Sequence, residues 1–114
     1  MTDFETPETR LATYGSLAPG RLNHNQLAQL TGRWVRGTVN GRLMESGWGA
    51  AVGFPGLVLD AAGPDVEVHV FEAIDLPDHW HRLDTFEGPD YRRVVAQVHT
   101  ADGELKAWIY ALAV

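Results

Sequence analysis

The chain has 114 residues with a net charge of −6 and no cysteine, and this length suits one domain with a single hydrophobic core. The excess of acidic residues and the lack of any long basic stretch argue against nucleic acid as a partner. Because there is no cysteine, disulfides, a thiolate nucleophile and thiolate-ligated zinc are all excluded, as is common in cytoplasmic proteins.

The amino-terminal residues 1–10 are polar and acidic, and they are predicted to form a flexible tail that does not resemble a signal peptide. Residues 11–114 are predicted to form a single domain. No apolar run in the sequence is long enough to span a membrane. We therefore expect a cytoplasmic protein with no membrane partner.

A strand over residues 11–14 is predicted to run directly into a loop that contains Tyr14, Gly15, Ser16 and Leu17. Such a turn can leave several backbone N–H groups pointing in one direction, and this arrangement binds anions such as a carboxylate. An ordinary connection between a strand and a helix is the alternative, since the spacing matches neither the dinucleotide-binding motif nor the P-loop. Ser16 lacks the Gly-x-Ser-x-Gly context of an acyl-serine nucleophile, so we do not assign it that role.

A first short helix is predicted to begin at Asn23 and to end at Gly32. Asn23 can cap this helix, and Gln26 completes the pattern of a capping box three positions later. Leu27 and Leu30 are expected to face inward.

The stretch 35–43 alternates between polar residues and residues that are apolar or glycine, which is the pattern of a half-buried strand. The residues predicted to face the core are Val35, Gly37, Val39, Gly41 and Leu43. Glycines on an inward face permit the sharp bend of a strand that curls around a closed barrel, or the close approach of a ligand.

The rest of the chain is predicted to form further short strands and a second helix. The strands are expected at residues 57–59, 66–74, 91–99 and 106–112, with a hairpin at residues 101–103. The second helix begins near Asp75, with Pro77 in its first turn. Together these elements predict an α+β fold, a small closed mixed β-barrel of about six strands with two short flanking helices.

The second helix carries a carboxylate on its apolar side. Glu87 is predicted to share a core-facing stripe with apolar residues at helical spacing, namely Leu76, Trp80 and Leu83. Burial raises the pKa of a carboxyl group towards neutrality unless a cation compensates it. Glu87 is therefore the leading candidate for a general acid/base. The alternatives are that it turns into solvent or that it pairs with Arg92 or Arg93.

The histidines and tryptophans are assigned no chemistry. His79 and His81 lie two residues apart on a predicted helix and point to different sides, which makes them a poor metal pair. The other histidines are scattered, and we predict neither a metal site nor a cofactor. Trp48, in a glycine-rich stretch, is the tryptophan best placed to form an aromatic wall beside a ligand, and core packing is the general expectation for all four.

Four motifs taken together are more informative than any one of them. They are Tyr-Gly-Ser-Leu at residues 14–17, Phe-Pro-Gly-Leu-Val at 54–58, Leu-Asp-Thr-Phe-Glu-Gly at 83–88 and Tyr-Arg-Arg at 91–93. In their order and spacing they resemble the gamma-glutamylcyclotransferase-like family, over residues 11–111. The resemblance implies a compact β-barrel with flanking helices and a single cavity.

The resemblance also implies a site and a reaction. The first motif holds the gamma-glutamyl group through backbone amides in that family, which here implies Tyr14, Gly15, Ser16 and Leu17. The glutamate before the glycine is the acid/base, which here is Glu87. The implied activity is cyclisation of a gamma-glutamyl amine or peptide to 5-oxoproline with release of the amine, so the implied partner is a small-molecule gamma-glutamyl substrate.

One departure from the family pattern favours a different class of function. Val68 and His69 stand where a Gly-Glu pair often follows the valine of the central strand, so that bulk enters a position bordering the cavity. A non-catalytic small-molecule-binding module that uses the same cavity is therefore the alternative function. A hydrolase in which Glu87 activates water is a third. The sequence does not select between a monomer and a homodimer.

Overall fold

Six strands in the described part of the chain form one sheet. The computed structural model describes residues 7–14, 30–44, 56–88 and 91–112. In chain order the strands are β1 (Arg10–Thr13), β2 (Arg33–Met44), β3 (Gly56–Leu59), β4 (Asp65–Glu72), β5 (Tyr91–Thr100) and β6 (Gly103–Leu112). The helix α1 (Trp80–Glu87) lies between β4 and β5, and short 3-10 helices span Pro7–Thr9 and Leu76–Asp78.

The sheet closes on itself to form a barrel. Its strand order is β3-β2-β4-β1-β6-β5, and an additional pairing of β2 with β5 closes five of the strands into a ring, with β3 attached to β2 outside it. The strands β1 and β6 pair in parallel, whereas the other pairings are antiparallel. The predicted α+β class and closed mixed barrel are therefore confirmed. The predicted first helix falls mostly outside the described residues.

The barrel interior is filled by side chains that alternate along the strands. On β4, Val66, Val68 and Val70 are buried on one side, as predicted, and they pack against Val39 of β2 and Ile109 of β6. A second apolar cluster lies between the outer surface of the barrel and α1, with Leu11, Phe71, Leu76, Trp80, Leu83 and Tyr110 among its members. Burial of one leucine contributes roughly 1.5–3 kcal/mol, so this second cluster fixes α1 firmly against the barrel.

The strand β2 follows its predicted alternation as far as Gly41 and departs from it at Leu43. Gly37, Val39 and Gly41 are buried, and a Cβ added at Gly37 would lie only 2.6 Å from Val98 Cγ1, which explains the glycine. The prediction that Leu43 faces the core is wrong, because its side chain is 47% exposed. The pairing of β2 with β4 ends at Asn40, and beyond that point β2 pairs with β3 alone.

The predicted tail of residues 1–10 ends in ordered structure. Residues 7–9 form the first 3-10 helix, and Arg10 begins β1. Trp80 Nε1 donates a hydrogen bond of 3.0 Å to the carbonyl oxygen of Glu8, and Arg10 forms an ion pair of 3.0 Å with Glu72. These contacts attach the segment to α1 and β4.

The segments at the two ends of α1 contain residues that favour the backbone conformations found there. The predicted second helix starts as the 3-10 helix with Pro77 in its first turn and continues as α1. Gly88 ends α1 with φ 83° and ψ −178°, a conformation that is essentially restricted to glycine. The predicted β5–β6 hairpin is present, with Thr100 paired to Gly103. Neither α1 nor any other helix in the described ranges is long and apolar enough to cross a bilayer.

Candidate active site

Glu87 is a buried carboxylate at the last position of α1. Only 9% of its surface is exposed, and it lies on the same side of the helix as the buried residues Trp80 and Leu83. The alternative in which Glu87 turns into solvent is therefore wrong. Because burial disfavours the charged form, the pKa of Glu87 rises from 4.5 to about 7.

Tyr14 lies directly after β1, and its hydroxyl group connects two other strands. The Tyr14 hydroxyl donates a hydrogen bond of 2.6 Å to the carbonyl oxygen of Tyr110 on β6 and accepts one of 3.0 Å from the backbone N–H of Leu57 on β3. Burial raises the pKa of Tyr14 well above its usual value, and the nearby Glu87 charge adds to this effect. Tyr14 therefore stays protonated near Glu87. Its hydrogen bonds hold it in place at the start of the predicted substrate loop.

The rest of that loop, Gly15, Ser16 and Leu17, lies outside the described residues. Its predicted role as a cradle of backbone amides therefore stays a prediction. The same holds for Trp48 and its predicted place beside a ligand.

A network of three side chains, which was not predicted, is built on Asp84, three residues before Glu87 on α1. Arg93 Nε on β5 donates a hydrogen bond of 2.8 Å to Asp84 Oδ1, and Arg93 Nη2 donates one of 3.3 Å to Asp84 Oδ2. The hydroxyl group of Tyr110 donates a hydrogen bond of 2.7 Å to the same Asp84 Oδ1. The sequence signals for this network were the position of Asp84 on the predicted helix and the Tyr-Arg-Arg motif that contains Arg93.

The network determines which carboxylate Arg93 pairs with. Burial opposes ionisation of Asp84, but the hydrogen bonds from Arg93 and Tyr110 outweigh it and hold the pKa of Asp84 below its usual range. The pKa of Glu87 moves upward, which is the opposite of what an ion pair with Arg93 would produce. Arg93 is therefore the partner of Asp84, and the alternative that pairs it with Glu87 is wrong.

The guanidinium group of Arg93 is also held by aromatic rings. Its central carbon lies 4.6 Å from the ring centroid of Trp80 on α1 and 4.6 Å from that of Trp108 on β6. Contacts of this kind contribute roughly 0.5–2 kcal/mol each, depending on how far the cation is desolvated. Arg93 thus joins α1, β5 and β6 at the site.

The residues that depart from the family pattern lie on opposite sides of β4. Val68 is fully buried in the barrel interior, whereas His69 is half-buried on the other side. Val68 therefore adds bulk to the interior, as the sequence suggested. Among the described residues, no group of three or more histidine, aspartate or glutamate side chains could hold a metal ion.

Replacement of Tyr14 by phenylalanine is expected to lower the free energy of unfolding by about 1–3 kcal/mol, because it leaves the buried N–H of Leu57 without its acceptor. Urea denaturation of the variant and the wild type measures this loss. The variant Thr85→Ala is the control, since it removes an exposed hydroxyl group that bonds only within α1. A Tyr14→Phe protein that is no less stable than this control would show that the Tyr14 hydroxyl group does not stabilise the fold.

Comparisons with known proteins show which proteins share this fold. Three solved structures share the fold with a TM-score of 0.71 each. An AIG2-like protein from Mus musculus is 23% identical, and the match covers 92% of this chain and 77% of that one. YkqA from Bacillus subtilis is 28% identical over 92% of this chain and 36% of its own. An Arabidopsis thaliana protein is 20% identical over 98% of this chain and 74% of its own.

A search among curated protein sequences finds no significant match. The model of the family described as Gamma-glutamyl cyclotransferase, AIG2-like, however, matches residues 11–114. The matched range contains Tyr14, Asp84, Glu87 and Arg93, and the family suggests an activity of the cyclotransferase type. The chain therefore belongs to the AIG2-like gamma-glutamyl cyclotransferase family.

Proposed function

We propose that this protein cyclises a gamma-glutamyl amine or peptide to 5-oxoproline and releases the amine, with Glu87 as the general acid/base. The observation that carries the proposal is the burial of Glu87, which raises the pKa of its carboxyl group to about 7. A group with such a pKa is partly ionised at neutral pH, so it can both accept and donate a proton there. Family membership supports the same reaction.

The proposed reaction needs no nucleophile from the protein. The α-amino nitrogen of the substrate attacks its own γ-carbonyl carbon, and a new C–N bond closes a five-membered lactam. The amide bond between the γ-carbon and the leaving amine then breaks. Atoms balance without water, because the substrate divides into 5-oxoproline and the free amine.

Glu87 is suited to move two of the protons that these bond changes require. The α-amino group is normally protonated, so ionised Glu87 removes one proton from it before or during attack, and a second proton passes to solvent as the lactam forms with its single N–H. Protonated Glu87 then donates a proton to the departing nitrogen. A general acid/base in this position typically contributes about 10²–10⁴-fold to the rate.

The loop at residues 14–17 is proposed to hold the gamma-glutamyl group. Backbone N–H groups at Gly15, Ser16 and Leu17 would bind the substrate, and one or two of them would stabilise the oxyanion that develops on the γ-carbonyl oxygen. The contacts of Tyr14 support this role, because its two hydrogen bonds hold the chain in place where the loop begins.

Product analysis with a panel of gamma-glutamyl amines and peptides in ¹⁸O-labelled water tests the proposal. Cyclisation gives unlabelled 5-oxoproline and one equivalent of amine, because water takes no part in it. Hydrolysis gives glutamate with ¹⁸O in its γ-carboxyl group, and this product would assign the protein to the hydrolase alternative. Binding of panel members with no product at all would instead assign it to the binding-module alternative.

A further inference from the structure

Tyr110 on β6 makes two hydrogen bonds that lead to two different parts of the proposed site. Its hydroxyl group donates a hydrogen bond of 2.7 Å to Asp84 Oδ1 on α1. Its main-chain carbonyl oxygen accepts one of 2.6 Å from the hydroxyl group of Tyr14, where the predicted substrate loop begins. One residue of the barrel is therefore bonded both to the helix that carries Glu87 and to the start of the loop proposed to hold the substrate.

The side-chain bond of Tyr110 holds the last turn of α1. Asp84 begins this turn, because its carbonyl oxygen accepts the hydrogen bond of 3.1 Å from the N–H of Gly88 that closes it. Glu87 lies within the same turn. Arg93 on β5 also donates a hydrogen bond to the Asp84 carboxylate, and bonds to a charged acceptor are stronger than bonds between neutral groups. Two barrel strands thus restrain the helical turn that contains Glu87.

The main-chain bond of Tyr110 holds the start of the loop. The pairing of β1 with β6 ends at Ala12 and Ile109. The carbonyl oxygen of the next residue on β6, Tyr110, is bonded instead by the side chain of Tyr14. The same Tyr14 hydroxyl group accepts a hydrogen bond of 3.0 Å from the N–H of Leu57 on β3. Because this hydroxyl group both donates and accepts, its position is restrained from two strands.

Tyr110 and Tyr14 both lie near Glu87. The ring of Tyr110 packs in the apolar cluster between α1 and the barrel, and the residue is only 5% exposed. Burial is the main cause that raises the pKa of both tyrosines, and the charge of Glu87 adds to both shifts. The hydroxyl group of Tyr110 therefore stays protonated and serves as a donor to Asp84.

We propose that Tyr110 is a positioning residue for the cyclisation: by bonding Asp84 through its hydroxyl group and Tyr14 through its carbonyl oxygen, it fixes the acid/base helix relative to the substrate loop. The inference rests on the proposed function, in which Glu87 is the acid/base and the loop holds the gamma-glutamyl group. Glu87 must then reach two nitrogen atoms of a substrate that is held by another element. A fixed separation between helix and loop keeps both atoms within reach.

Replacement of Tyr110 by phenylalanine removes the hydroxyl group and keeps the ring and the carbonyl oxygen. Tyr110→Phe is expected to lower kcat for 5-oxoproline release by about 10–100-fold, since a displacement of about 1 Å can lower a rate by about 10²-fold. KM is expected to change little, because the bond to Tyr14 remains. The control Thr85→Ala removes a hydroxyl group that bonds only within α1, and it should keep the wild-type kcat. A Tyr110→Phe protein with the kcat of this control overturns the proposal.

A double-mutant cycle with Asp84→Ala tests whether the Tyr110 hydroxyl group acts through Asp84. In the Asp84→Ala background, Tyr110→Phe is expected to have no further effect on kcat, because the acceptor of its hydrogen bond is already absent. An equal loss of kcat in both backgrounds would mean that the hydroxyl group acts independently of Asp84, which overturns the proposal.

Amide hydrogen exchange followed by NMR tests the same contact without turnover and separates it from a general loss of stability. In Tyr110→Phe the amide of Gly88, which bonds to Asp84 at the end of α1, is expected to exchange about tenfold faster or more. The amide of Leu57, which bonds to Tyr14, should keep its wild-type rate. Asp84→Ala should give the same pattern, and it replaces Tyr110→Phe if that variant does not fold.

The exchange rates distinguish failure of this inference from failure of the proposed function. An unchanged rate at Gly88, or an equal acceleration at Gly88 and Leu57, overturns the role of Tyr110. The expected exchange pattern in a protein that makes no 5-oxoproline would overturn the proposed function instead.

Discussion

Glu87→Gln is expected to lower the rate of 5-oxoproline release by about 10²–10⁴-fold, which is the usual contribution of a general acid/base. Glutamine has nearly the same shape as glutamate, so it fills the same buried space at the end of α1. It cannot accept a proton from the α-ammonium group of the substrate. The loss should therefore appear in kcat, with substrate affinity retained.

Steady-state kinetics of the variant beside a matched control measures this effect. Glu67→Gln makes the same chemical change at a side chain that is 57% exposed and pairs with Arg36 on the surface. An exposed ion pair contributes only about 0–1 kcal/mol to stability, so this control should retain wild-type turnover. If both variants keep the wild-type rate, Glu87 is not the acid/base and another group must move the protons.

The wild-type protein is expected to lose about 3 kcal/mol of stability relative to Glu87→Gln as the pH rises from 4.5 to about 7 and slightly beyond. The sign follows from proton binding. Between these values the folded protein keeps a proton on Glu87 and the unfolded chain does not, because burial raises the pKa in the folded state only. Stability from this group is thus present below pH 4.5 and is lost as the pH rises through the folded-state pKa of about 7.

Urea denaturation of both proteins at intervals between about pH 4.5 and about pH 8 tests this expectation. The difference between the two proteins isolates Glu87, because both retain Glu72 and Asp84. The pKa values of those two groups are lowered, so their stabilising effect is lost as the pH falls, in the opposite direction. A difference that does not vary with pH would mean that Glu87 titrates normally in the folded protein.

The parts of the site that were predictable from sequence depend on local periodicity. Leu76, Trp80 and Leu83 fall at helical spacing before Glu87, and that spacing alone places the carboxylate on the buried side of α1. The alternation of valines along β4 likewise assigned its inward face correctly. In both cases the geometry of a single element determines which side chains share a face.

The parts that could not be predicted depend on contacts between distant elements. Asp84 and Tyr110 are 26 residues apart, and their hydrogen bond exists only because α1 packs beside β6. The exposure of Leu43 depends on where β4 stops pairing with β2, which the alternation within β2 does not reveal. Local patterns therefore identified the acid/base candidate but not the network of Asp84, Arg93 and Tyr110.

The parallel pairing of β1 with β6 has a consequence for how the protein is made. Tyr14 and the carbonyl group that it bonds are 96 residues apart in sequence. During synthesis β1 leaves the ribosome long before β4 and β6, which pair with its two sides. Pairings over such long separations form slowly, and an unpaired strand is prone to aggregate while it waits. The barrel closes, and the environment of Glu87 is completed, only when the last strand arrives, so that ring closure and site assembly are a single late event of folding.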